Sequence, residues 1–259
     1  MRYKISQAVQ PGLAHLKKGE PCQDKALLIR CRDVFCATLA DGAGSQKYSE
    51  YGAECVTSCV AETVCADFEY LWALDDRQLA RVLIDDCLGV LSQMVLPFDE
   101  LGCTLHFFAG HRDGRYISGH LGDGVQILVD GPEERLSVFS APENGERHNE
   151  TYFVTSFNAE GHLRVRKGRL QGAGALLMMS DGPEACLYNR ADCVPAEACR
   201  TMARWLHEEE ERAVSDALKK HLEFTFAQYS ADDMSICIVA WDEDGSPDSK
   251  REGKEGGQA

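Results

Sequence analysis

Three of the six Asp-Gly dipeptides in this 259-residue chain stand directly behind strand-like apolar runs. Asp41-Gly42 follows VFCATLA, Asp123-Gly124 follows YISGHLG, and Asp181-Gly182 follows ALLMMS. A fourth acidic site, Asp232-Asp233, immediately precedes MSICIVAW. The other copies, Asp113-Gly114, Asp130-Gly131 and Asp244-Gly245, lie among polar residues and read as turns. Any one strand-end copy alone also reads as a turn. Three of them plus Asp232 place carboxylates along a sheet edge, where they repel one another and rise in pKa unless cations neutralise them. Mg2+ or Mn2+ suits that edge, because hard cations take oxygen ligands and keep several waters. Glycine after each aspartate lets the main-chain carbonyl approach an ion without a Cβ in the way.

The elements around these sites follow from periodicity. Residues 4–9, 26–31 and 34–40 read as strands. Ala53, Val56, Val60 and Val64 form one helical stripe near 49–65. Leu79, Leu83, Cys87, Val90, Leu91 and Met94 form a second near 77–95, with Asp75 or Asp76 as N-cap. Strands return at 104–109, 115–119 and 125–129, the first two joined at Asp113-Gly114. Residues 151–157 and 163–167 are expected to flank a turn at Glu160-Gly161, and 175–180 reads as a buried strand. One long amphipathic helix is predicted over 196–222, its Glu208–Glu211 run a solvated face, before a last strand at 234–241. Hairpins outnumber crossovers, so α+β with a largely antiparallel sheet fits better than a doubly wound fold. Residues 1–241 read as one domain and the polar, Gly-rich 242–259 as a disordered tail.

A formal charge of −15 argues against nucleic acid as a general partner, since backbone phosphates repel such a surface. No apolar run approaches the roughly 18 residues that cross a bilayer, and MRYKISQAVQPG lacks the apolar core of a secretory signal. A cytoplasmic location, with no membrane partner, is expected. Most of the twelve cysteines, among them Cys31, Cys36, Cys55, Cys59, Cys103 and Cys237, sit in apolar runs and read as reduced core thiols. There is no C-x-x-C, P-loop, H-E-x-x-H or G-x-S-x-G, and no Cys six residues before an Arg.

Six short motifs run in order through residues 5 to 241: Pro21-Cys22-Gln23-Asp24, Leu39-Ala40-Asp41-Gly42-Ala43-Gly44 with Ser49–Ala53 after it, Gly102-Cys103-Thr104, Gly119-His120-Leu121-Gly122-Asp123, Ser180-Asp181-Gly182, and Ala231-Asp232-Asp233-Met234-Ser235. In these the chain resembles the type 2C metal-dependent (PPM) serine/threonine protein phosphatases, in their compact bacterial branch. The resemblance implies a four-layer α-β-β-α sandwich with two mainly antiparallel sheets and a two-ion Mg2+ or Mn2+ centre at one edge. It implies that Asp41 bridges both ions, that Gly42 offers its carbonyl to one, and that Asp181 and Asp232 bind the other. Asp24 would act through a metal-bound water, and Asp123 would help hold a third, weaker ion. Catalysis would then run through Asp41, Asp181 and Asp232 by way of the metals and a bridging water, with no phosphoenzyme.

The chain departs from that family in four places. Ala43 stands where many members carry a candidate general-acid His, so a proton must reach the leaving group from elsewhere, such as water. Gly19 stands where the phosphate-gripping basic residue usually lies, leaving His15, Lys17 or Lys18 of the same loop as substitutes, with His15 and Lys18 assigned here; a plain surface histidine is the alternative for His15. Asp233 replaces a common Asn, and only 58 residues separate Asp123 from Asp181, so the flap is expected to be short or absent. The activity implied is hydrolysis of phosphoserine and phosphothreonine on proteins by a monomeric enzyme. The rivals are a catalytically weak relative that binds a phosphoprotein and a small-molecule phosphoesterase.

Overall fold

Apolar residues occupy both faces of the central strands, so each sheet has to be covered twice. The computed structural model describes residues 1–145 and 151–243. The chain runs β1 (Arg2–Gln10), α1 (Leu13–Lys18), β2 (Lys25–Cys31), β3 (Val34–Ala40), α2 (Ser49–Ala73), α3 (Asp76–Ser92), β4 (Leu105–His111), β5 (Arg115–Leu121), β6 (Val125–Asp130) and β7 (Arg135–Ser140). It continues through α4 (Ala159–His162), β8 (Arg164–Arg169), β9 (Gly174–Met179), α5 (Asp181–Leu187), the short β10 (Tyr188–Asn189) and β11 (Val194–Pro195), α6 (Ala198–Glu208), α7 (Glu211–Phe224) and β12 (Met234–Asp242).

Two five-stranded antiparallel sheets result, ordered β1-β12-β9-β6-β7 and β2-β3-β4-β5-β8. Strand alternation divides the core into three. On β12, Cys237, Val239 and Trp241 face the other sheet, where they meet Phe35, Leu39 and Phe108. Ile236, Ile238 and Ala240 of the same strand face outward against Met202, Leu206, Val214 and Leu218 of α6 and α7. On the far side, Leu105, Phe107 and Ala109 of β4 pack against Val56, Val60 and Leu83 of α2 and α3. The layers are therefore helix, sheet, sheet, helix, as the sequence resemblance implied. Each fully buried Leu or Phe in these cores contributes on the order of 2 kcal/mol.

Several local expectations hold. Asp75 caps α3 by accepting from Gln78 N at 2.8 Å, and Gln78 Oε1 reciprocates on Asp75 N at 3.2 Å. Asp113-Gly114 joins β4 to β5, and Asp130-Gly131 stands at the β6–β7 turn. Asp244-Gly245 and the tail from 244 lie outside the described residues, while Asp242 belongs to β12.

Others are corrected. The α2 stripe continues past 65 through buried Phe68 and Leu71. The single helix expected over 196–222 is two. Glu209 and Glu210 are extended, at ψ 171 and 143, where the chain is tied down. Lys4 Nζ donates to the carbonyls of His207 and Glu209, each at 2.9 Å. Glu211 is not a solvated face residue: its Oε1 accepts from Ile5 N at 2.7 Å and pairs with Arg30. Residues 151–157 form no strand; Ser156 closes a turn with Phe153 and buried Val154 donates to Cys103 O at 2.8 Å. Glu160-Gly161 lies within α4 rather than a hairpin turn. Cys31 is exposed, not a core thiol. The edge strand β7 and the short α1, α5, β10 and β11 were not anticipated.

Candidate metal centre

Register brings the acidic residues to one edge. Lys25 pairs with Ala40, Leu105 with Leu121, and Met179 with both Val125 and Ile236. Residues flanking these pairs therefore emerge at the same end of the sandwich. Asp24 precedes β2, Asp41 follows β3, Asp123 links β5 of one sheet to β6 of the other, Asp181 opens α5 behind β9, and Asp232 lies just before β12.

The local backbone fixes Asp41. Its N–H donates to Thr104 Oγ1 at 2.9 Å and its carbonyl accepts from Thr104 N at 2.8 Å. Gly42 then bridges Cys103, in a place where a Cβ would stand 2.9 Å from the backbone and side chain of Gln23. The Asp41 carboxyl lies close enough to those of Asp24 and Asp181 for each to act on the other's protonation. Burial first, then the charges of Asp24, Asp181, Asp123 and Asp232, hold Asp41 well above the usual carboxylate range. Burial, against the lowering effect of two serine hydroxyls, pushes Asp24 up to about 7. Burial together with Asp123 and Asp232 pushes Asp181 up to about 6.

Asp24 is buried, with Oδ2 accepting from Ser180 Oγ at 2.7 Å and Ser235 Oγ at 2.6 Å. Its Oδ1 is buried with no hydrogen-bond partner. An orphaned carboxylate oxygen beside a charged, all-oxygen cluster fits a hard divalent cation with its waters. Among the described residues no group of three His, Cys, Asp or Glu side chains is drawn together closely enough to hold an ion unaided; Mg2+ usually keeps several waters and takes only one or two carboxylates. Asp41, Asp181, Asp232 and the Gly42 carbonyl are the groups that would hold ions, with Asp24 behind them and Asp123 beside them. Asp123 Oδ2 is taken by the Thr151 hydroxyl at 2.5 Å.

His15 and Lys18 are each engaged by an acidic side chain. His15 is buried on α1 with Nδ1 2.8 Å from Asp233 Oδ2, and its Nε2 faces Glu20 at 3.8 Å. Lys18 is exposed and pairs with Glu20 at 3.4 Å. Asp233 also accepts from Gly12 N at 2.7 Å and Gln23 N at 2.6 Å, so it clamps the loop that carries Asp24. Ser180 and Ser235 were visible inside the motifs but carried no assigned role. Arg190 lies outside every motif, yet it donates to Asp123 O at 3.0 Å and pairs with buried Glu184.

The raised carboxyls give a pH-dependent expectation. In the unfolded chain these groups titrate near 4, so the folded, ion-free protein holds extra protons between that pH and about 7. Their contribution to stability is full below pH 4 and is lost as pH rises through 6 and 7. The ion-free protein should therefore melt at a lower temperature at pH 8 than at pH 5.5. Mg2+ should displace protons at pH 6, and its affinity should climb toward pH 8. Calorimetry in two buffers of different ionisation enthalpy measures that proton release, and pH-independent affinity would contradict it.

Comparison with known proteins follows the same lines. The sequence pattern of protein phosphatase 2C matches residues 11–223. No curated protein matches in sequence. Among solved structures, the serine/threonine phosphatase of S. agalactiae is similar at TM-score 0.68 and 16% identity, covering 93% of this chain and 100% of that one. PppA, described as a key regulatory component of T6SS in Pseudomonas aeruginosa, gives TM-score 0.65 at 16% identity, covering 93% and 99%. RsbX in complex with magnesium gives 0.59 at 12% identity, covering 92% and 94%.

Proposed function

This chain belongs to the protein phosphatase 2C family, and on that premise we propose that it is a Mg2+/Mn2+-dependent protein serine/threonine phosphatase. One observation carries the reading. Carboxylates from distant strand ends lie together at one edge, where burial first, and then the charges of Asp24, Asp181, Asp123 and Asp232, hold Asp41 above the usual carboxylate range. An uncompensated cluster of that kind is costly, and divalent ions remove the cost. The magnesium bound by RsbX supports the choice of ion.

When bound, paired ions supply a water of lowered pKa and positive charge for an in-line phosphoryl transition state. This chain's part is to fix the donors. Thr104 locks the Asp41 backbone, the two serines hold Asp24 by Oδ2 and leave Oδ1 without a partner, and Asp233 holds the Asp24 loop to the start of β12. Ala43 offers no proton, so the leaving group takes one from solvent. We take residues 1–241 as the phosphatase domain, acting as a cytoplasmic monomer on phosphoproteins, with no nucleic-acid or membrane partner. The acidic charge supports this, and no helix among the described residues is long and apolar enough to cross a membrane.

Release of phosphate from p-nitrophenyl phosphate and from a phosphothreonine peptide, with and without Mn2+, tests the proposal. Metal-dependent turnover of both is expected. Metal binding without turnover of either would point to a phosphoprotein-binding relative, and turnover of small metabolites alone to a different phosphoesterase.

A further inference from the structure

Of the first-motif loop, Gly19 has no side chain to offer, His15 is engaged with Asp233, Lys18 with Glu20, and Lys17 is exposed. A guanidinium reaches the same edge from elsewhere. Arg190 lies directly after β10, at the start of the turn to β11. Its Nε and Nη2 form a two-point pair with the carboxylate of Glu184, the Nη2 contact at 2.6 Å, and Nη2 also donates to Asp123 O at 3.0 Å. Glu184 is 3% exposed, so the anchor is buried, while the Arg190 side chain is 44% exposed. Glu184 lies one helical turn beyond Asp181 on α5, which puts their Cβ atoms about 5–6 Å apart on one face. The charge of Arg190 is coupled first to Glu184 and then to Asp123 and Asp181. Among the described residues, Nη1 has no hydrogen-bond partner.

A purely structural role fits this arrangement poorly. Burying the Glu184 carboxylate to staple a short hairpin gains little, because an apolar pair of similar volume usually serves stability as well or better. A guanidinium held in plane by a buried carboxylate, with Nη2 on the Asp123 carbonyl and Nη1 unpaired among the described residues, suits a planar fork made for phosphate.

We propose that Arg190 is the phosphate-binding residue of this protein, its Nη1 taking an oxygen of a phosphate monoester dianion while Glu184 holds the guanidinium in place. The proposal rests on the phosphatase reading above. The test uses the full chain with Mg2+ and inorganic phosphate as the probe, titrated by calorimetry, with KM and kcat for p-nitrophenyl phosphate measured alongside. Arg190→Met should weaken phosphate binding at least about tenfold and raise KM by a similar factor. Arg190→Lys, which keeps the charge and loses the fork, should fall between Arg190→Met and wild type, and it serves as the deciding variant should Arg190→Met not fold. Glu184→Gln should weaken phosphate binding less than Arg190→Met. Phosphate affinity within twofold of wild type in a folded Arg190 variant overturns the proposal. So does unchanged phosphate affinity with tighter Mg2+ binding, which would make Arg190 a charge compensator for Asp123 and Asp181. A wild-type protein that binds phosphate but hydrolyses no ester defeats the phosphatase reading, and the variants' phosphate affinities still decide the role of Arg190.

Discussion

Asp41→Asn is expected to lower Mn2+-dependent turnover by roughly a thousandfold or more, about 4 kcal/mol of transition-state stabilisation, while the fold survives. Asparagine is nearly the same shape, and the two hydrogen bonds that hold this position run from the Asp41 backbone to Thr104, so both persist. What is lost is the negative charge that Asp24, Asp181, Asp123 and Asp232 surround. Without ions that charge is a burden, because burial and the four neighbours all oppose it. The ion-free variant should therefore melt no lower than wild type at pH 8. Calorimetry should show weakened or missing ion binding, and Asp181→Asn should behave in the same direction. Full activity in either variant would remove the basis of the assignment, whereas lost activity with unchanged metal binding would move the role of the aspartate from ligation to some other step.

The layers were legible because both faces of the central strands carry core residues, so runs such as ALLMM and SICIVAW can only be covered on two sides. The site was legible for a related reason. An aspartate directly behind or before such a run has its position fixed by strand register, as Leu105 paired with Leu121 and Val125 paired with Met179 place Asp123. Position in a loop gives no such constraint. His15 and Lys18 share a loop with Asp24, but α1 turns His15 inward to Asp233 and leaves Lys18 in solvent, which no spacing rule reveals. Arg190 was invisible because its place depends on an ion pair with Glu184, six residues away across the end of α5. The break between α6 and α7 depends on Lys4 and Ile5, some two hundred residues earlier, gripping the chain at Glu209 and Glu211. Residues 151–157 alternate enough to suggest a strand, but Val154 is pulled into the helix-side core and bonded to Cys103, and among the described residues their one ladder contact is the isolated bridge of Thr151 to Asn144.

Gly182→Ala should damage stability and the metal centre together. A Cβ at Gly182 would lie 2.1 Å from the carbonyl oxygen of Asp233 and 2.8 Å from Met234 Cγ. The methionine can swing aside, but the carbonyl belongs to the backbone at the start of β12 and cannot. Either the first turn of α5 or the start of β12 must move by an ångström or so. Asp181 precedes Gly182 and Asp232 precedes Asp233, so the shift separates two of the groups that would hold one ion. Overpacking of this kind costs about 3 kcal/mol, and a displacement of that size at a reacting centre costs on the order of a hundredfold in rate. Gly89→Ala in α3 is the control: nothing lies within 4 Å of its Cβ, and alanine there should be neutral or stabilising by about 0.5–1 kcal/mol. Urea denaturation and Mg2+ calorimetry on both variants separate the two effects. If Gly182→Ala lost stability yet bound Mg2+ as tightly as wild type, then Asp181 and Asp232 would not be holding a common ion.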